Sequence, residues 1–152
     1  MAIILDASAA LSWIIERSDP AETRHSIDVL RAIQADHAAV PSIWYIEVAN
    51  GILVAERRGG LSAAASARFM ALLSSLPINR DRHAIAFTQS ESLRLARSFN
   101  LTAYDASYLE LALRTGLPLA TYDLQLASAA HSAGASLFQT RMSFRPPLSK
   151  MP

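Results

Sequence analysis

The sequence predicts an α/β fold built on a parallel sheet with crossover helices. Short apolar runs alternate with longer stretches of helical periodicity, the pattern left when each strand returns to the sheet through a helix. A length of 152 residues with 51% hydrophobic side chains is enough for one core. The first strand is Ile3 to Asp6, followed by helices over Ser8 to Glu16 and Ala21 to Ala35. A second strand, Ala38 to Val40, leads into a helix over Ser42 to Arg58, which the glycines of RRGG at 57 to 60 stop before the next helix, Ser62 to Leu76. A third strand spans Pro77 to Asn79, and helices follow over Ile85 to Phe99 and Ala103 to Thr115. Pro118 marks entry to a fourth strand, Leu117 to Thr121, then comes a helix over Leu124 to Ala133, and Gly134 leads into a fifth strand, Ala135 to Phe138. Residues 1–140 are expected to form the domain. Residues 141–152, with adjacent prolines, are expected to form an extended or flexible tail.

Composition narrows the chemistry. The absence of cysteine excludes disulfides, thiolate metal ligands and thiol catalysis, and agrees with a cytoplasmic location. The N-terminal MAIILDASAALSWII lacks a basic leader and is broken by Asp6, so it reads as strand and helix rather than a secretory segment. No stretch is long and apolar enough to suggest a membrane span. Thirteen of the fourteen basic residues are arginine, whose planar fork suits phosphate, although abundant Arg and Ala also follow from a GC-rich genome.

Four acids stand out by position: Asp6 at the end of the first strand, Glu47 in WYIEVANGIL, Asp105 in TAYDASYLELA and Asp123 after LPLATY. In an open α/β sheet, ligands bind at the carboxyl ends of the strands. Asp6 and Asp123 follow strands, and Glu47 falls about one turn into the helix after the second strand. Asp105 opens a helix that runs back against the strand it precedes, so all four meet at one edge. Gathered carboxylates repel one another and call for protons or a cation, and a hard divalent ion suits oxygen donors. Removing these four negative charges from the formal +1 leaves +5 on the remainder, which permits a polyanionic ligand without demanding one.

Singly, three of the acids have plainer explanations. Asp6 and Asp123 fit helix N-caps, and Thr102 with Asp105 fits a capping box. Glu47 resists such a role, because Ile43, Asn50, Gly51 and Val54 on its helix offer no cation. The four histidines, His25, His37, His83 and His131, lack a metal-binding spacing and read as packing or surface residues. Trp13, Trp44 and Tyr45 suit base stacking but more often serve a core on helices this apolar. Arg80, Arg82, Arg94 and Arg97, and also Arg57 and Arg58, suit a groove for a polyanion, with solvated surface as the default for each.

The segments ILDASAAL, PSIWYIEVANGIL, LTAYDASYLELALRTGLPLATYDLQL and GASLF, over residues 3 to 138, resemble PIN-domain proteins, specifically the VapC-type ribonuclease toxins of type II toxin-antitoxin systems. The resemblance implies a three-layer α/β/α sandwich, Mg²⁺ or Mn²⁺ held by the acids, and hydrolysis of RNA to 5′-phosphate and 3′-hydroxyl ends. The three core acids of that family map to Asp6, Glu47 and Asp105 and its more variable fourth to Asp123, with hydroxyl positions at Ser8 and Thr121. Asn50, one turn after Glu47, has an orienting or a helix-packing role. A cognate antitoxin, a homodimer and partner surfaces around Ser42 to Leu76 are implied too.

With no cysteine and no Ser–His–Asp set, a water activated by the ion is the expected nucleophile. Asp6 and Asp105 are then direct ligands, Glu47 a direct or water-mediated one, and Asp123 support for a second ion or an outer water. The alternatives are a PIN-like scaffold that has lost catalysis and, further off, an Asp-based phosphotransfer domain. The second lacks the expected DxD and has no lysine before Lys150.

Overall fold

A computed structural model describes residues 1–140; the expected tail, 141–152, lies outside the described residues. Strands β1 (Ile3–Leu5), β2 (Ala38–Val40), β3 (Ile78–Arg80) and β4 (Leu119–Ala120) form one parallel sheet in the order β3-β2-β1-β4. The connections contain helices α1 (Ala7–Leu11), α2 (Pro20–Ala35), α3 (Trp44–Arg57), α4 (Ala63–Ser75), α5 (Ile85–Phe99) and α6 (Ala103–Thr115), and α7 (Leu124–Ala133) follows β4. Every residue of β1 is fully buried, as a central parallel strand covered on both faces must be. This is the expected α/β/α sandwich. Its order reverses at β1: the chain moves outward through β2 and β3, then returns to add β4 on the other side. Such a reversal opens a crevice at the carboxyl edge.

The helix starts follow local chemistry. Asp19 accepts the Ala21 amide at 2.8 Å, with Pro20 at the first helical position of α2. Ser62 and Thr102 cap α4 and α6 in the same way. Gly116 and Gly134 end α6 and α7 at φ 69° and 82°, where a side chain would be strained.

Three elements are shorter than expected. The helix anticipated over Ser8 to Glu16 stops at Leu11, beyond which the Trp13 and Ile14 amides bond the Ala10 and Leu11 carbonyls three residues back and tighten into turns. β4 covers two residues instead of Leu117 to Thr121: Pro118 has no amide to give a ladder, and just beyond the strand the Tyr122 and Asp123 amides bond the Ser8 and Thr121 hydroxyls. With so short an edge to pair against, the fifth strand reduces to a single parallel bridge, Leu119 to Leu137. The described sheet therefore has four strands. Among the described residues, no helix is long and apolar enough to cross a membrane.

One ion-pair system ties the exit of β3 to α6. Arg114 donates to Asp81 at 2.6 Å and, through Nε, to Glu110 at 2.6 Å, using its fork on both carboxylates. Glu110 is only 5% exposed, so its charge has no recourse to water. Arg114→Leu should therefore destabilise the protein by about 3 kcal/mol, the low end for breaking a buried pair because Arg114 and Asp81 keep some solvent contact. Chemical denaturation would measure this, and a loss below about 1 kcal/mol would refute the buried-charge account.

Candidate active site

Asp6 leaves β1 with its amide bonded to the Ala120 carbonyl at 3.0 Å, which fixes it beside the end of β4. It occupies the N-cap position of α1 but makes no side-chain cap there. Instead its Oδ2 accepts from the Ser8 hydroxyl at 2.6 Å and the Thr121 hydroxyl at 2.7 Å. Each hydroxyl has one proton and gives it to Asp6, while its lone pairs accept a backbone amide: Tyr122 on Ser8 at 2.9 Å, Asp123 on Thr121 at 3.0 Å. The wiring favours an ionised Asp6 at a site that is only 4% exposed. Burial pushes its pKa up, the two hydroxyls pull it down, and the charge of Asp123 raises it again.

Glu47 lies in the first turn of α3 and is half-buried. The fully buried Tyr108 donates its hydroxyl to Glu47 Oε1 at 2.9 Å. Burial raises Glu47 to about 7; the Tyr108 bond opposes this, and the charges of Asp6 and Asp105 add to it. Asp105, in the first turn of α6, is raised to about 6 by burial and by the charges of Asp123 and Asp6. Asp123 does cap its helix, accepting the Leu126 amide at 2.8 Å. All four acids thus share one electrostatic neighbourhood. Seven ion pairs occur among the described residues, and none includes any of the four.

The donor set is all oxygen, anionic and without a cationic side chain, which suits a hard divalent ion. Among the described residues no three acidic or histidine side chains close into a ready cage, so the acids form an open constellation. Asn50 is exposed on α3, and among the described residues no hydrogen bond joins it to the acids.

The sequence pattern alone does not single out Tyr108. Its signal was its place three residues after Asp105 in an apolar helix, where a buried phenol needs a partner. Of the histidines, His25 packs its ring edge-on to Tyr122 at 5.5 Å, as a packing residue does. Trp44 is buried and Trp13 bonds the Ser26 carbonyl, so neither is presented as a stacking platform.

The PIN domain family matches residues 3–132. The chain belongs to the PIN-domain family. Among its relatives, ribonuclease VapC9 of Mycobacterium tuberculosis is 30% identical over 125 residues, covering 82% of this chain and 88% of its own. The crystal structure of PAE2754 from Pyrobaculum aerophilum has 28% identity, covers 85% of this chain and 79% of its own, and superposes with a TM-score of 0.64. A toxin-antitoxin complex from Klebsiella pneumoniae shares the PIN fold at 20% identity, over 80% of this chain and 86% of its own, with a TM-score of 0.53.

The raised acids make the stability of this PIN domain depend on pH. Glu47 titrates near 7 in the folded chain against an ordinary 4.5, and Asp105 near 6 against 3.8. Between those values the folded protein binds more protons than the unfolded chain, so stability is greatest on the acid side and falls as pH rises through 6 and 7. The melting temperature of chelator-treated protein should drop by a few degrees between about pH 5.5 and pH 8. Glu47→Gln should flatten that slope, and Tyr108→Phe should move it to higher pH. An identical slope in wild type and Glu47→Gln would remove Glu47 as its source.

Proposed function

We propose that the protein is a metal-dependent endoribonuclease toxin that hydrolyses RNA phosphodiester bonds and is neutralised by a cognate antitoxin. The observation that carries this is the convergence of four carboxylates on the carboxyl edge of the sheet with, among the described residues, no basic side chain paired to any of them. Mg²⁺ or Mn²⁺ is the cofactor. Asp6 and Asp105 would hold it directly, Glu47 directly or through water, and Asp123 would support a second ion or an outer water. When bound, the ion supplies Lewis acidity to a phosphoryl oxygen and to the attacking water.

The remaining work falls to this chain's own groups. Ser8 and Thr121 fix the rotamer of Asp6 and favour its charged form, and Tyr108 does the same for Glu47. Kinship with ribonuclease VapC9 supports RNA as substrate; hydrolysis by an ion-activated water would leave 5′-phosphate and 3′-hydroxyl ends. The exposed apolar side chains Tyr45, Ile46 and Leu53 of α3 and Met70 and Leu72 of α4 support protein partners there, the antitoxin and a second copy of the chain. The cytoplasm is the expected location.

Antitoxin-free protein should cut a mixed cellular RNA pool in Mn²⁺ or Mg²⁺ and not in EDTA. Asp6→Asn should abolish cutting. Thr121→Val, which removes one donor to Asp6 and leaves the carboxylates intact, should reduce the rate about 10- to 100-fold. Failure of folded, metal-loaded protein to cut any RNA would return the weight to a non-catalytic PIN-like binding module.

Adding Mn²⁺ to the chelated protein at about pH 8 should raise its melting temperature, because an ion bound by the folded state alone stabilises it. Asp6→Asn should lose most of that rise. An equal rise in both proteins would place the ion elsewhere.

A further inference from the structure

The acids share their edge of the sheet with a groove of about 910 Å³, within the size range of small-molecule sites. It opens beyond the ends of β2 and β3, between the residues that lead into α3 and the first turns of α5 and α6. Two of its walls continue into the acid site. Ile43 lies one turn before Glu47 on the approach to α3, and Tyr104 immediately precedes Asp105 on α6.

The charge of the groove is not what its residue list first suggests. Asp81 and Glu110 line it, but both carboxylates are engaged by Arg114. Arg80 and Arg82, on either side of Asp81, line it as well, and among the described residues neither takes part in an ion pair. Arg114 offsets one of the two carboxylate charges, and Arg80 and Arg82 together outweigh the other, so the net charge on this wall is positive. Tyr104, 61% exposed, faces the same space with apolar neighbours such as Ile85, which is 81% exposed. Guanidinium groups near an exposed ring form the combination that takes a phosphate and stacks a base. Thr88 and Gln89 add side-chain donors and acceptors for base edges. Arg94, by contrast, is held by Glu91 at 2.9 Å.

We propose that this groove is the subsite for the single-stranded RNA segment adjoining the cleaved bond, with Arg80 and Arg82 on its phosphates and Tyr104 stacked on a base. The proposal rests on the ribonuclease reading above. It gives that reading a source of sequence preference, because the acids act on a phosphodiester that is the same at every step of the strand.

Two measurements separate the groove from the chemistry. Fluorescence anisotropy of a fluorescein-labelled single-stranded RNA, with Asp6→Asn protein in Mg²⁺ to prevent cutting, reads affinity alone. Adding Arg80→Ala and Arg82→Ala should weaken binding at least about tenfold and lower the salt dependence by about 1.4 in slope, for two phosphate contacts. Tyr104→Ala should cost about tenfold with the salt slope unchanged. With the acids intact, the same substitutions should raise KM and change which sites in the RNA pool are cut. Unchanged affinity and cutting sites in variants that melt like wild type would overturn the proposal. A change in mass by light scattering in place of a change in RNA affinity would also overturn it, by making a second copy of the chain the occupant. If wild type cuts nothing but the arginine substitutions still weaken binding, the nuclease reading falls while the groove stands as an RNA site.

Discussion

A carboxylate almost without solvent, at the end of a fully buried strand, is what the rest of this molecule must accommodate. Asp6 is 4% exposed, follows three residues with no exposure at all, and has no arginine, lysine or histidine paired to it among the described residues. Removing an ionised carboxyl from water costs several kcal/mol, about the scale of a whole domain's net stability, unless donors replace the water. Two hydroxyls do so, and each is fixed from behind by a backbone amide. These amides come from Tyr122 and Asp123, so the segment that ends β4 is shaped by the needs of a side chain on β1.

The sheet order makes that arrangement possible. β1 stands between β2 and β4, so its carboxyl end faces the first turn of α3 on one side and the cap of α7 on the other, with the start of α6 returning to the same edge. Four acids far apart in sequence are brought within electrostatic reach by topology alone. Each sits at or just inside the start of a helix, where the dipole offers partial compensation. Burial still outweighs it: Glu47 and Asp105 stay raised, with the neighbouring charges adding to the effect.

Much of this was legible in the residues. Strand and helix order followed from hydrophobic runs and glycine stops, and the positions of Asp6, Glu47, Asp105 and Asp123 followed from that order. Capping chemistry was legible for Thr102 and Asp123, and misleading for Asp6, whose sequence position is that of a cap but whose oxygens serve other donors. What no local pattern could disclose were bonds between distant segments. Thr121 reaches Asp6 and Tyr108 reaches Glu47 only once the sheet has assembled.

The clearest sign that the unpaired acids are specific to the site lies within α6 itself. Glu110 in this helix is as buried as Asp6, yet it has a guanidinium at 2.6 Å and shares it with Asp81. The chain can therefore neutralise a buried carboxylate by ordinary means, and does so about a turn and a half beyond Asp105 on the same helix. Arg114 lies roughly 13 Å further along the axis than Asp105, too far to serve both acids from one position. Its pairing with Asp81 holds the exit of β3, and with it Arg80 and Arg82, beside the acid edge. One helix thus carries, at its first turn, an acid with no basic partner among the described residues and, in its last, the arginine that anchors the neighbouring positive wall.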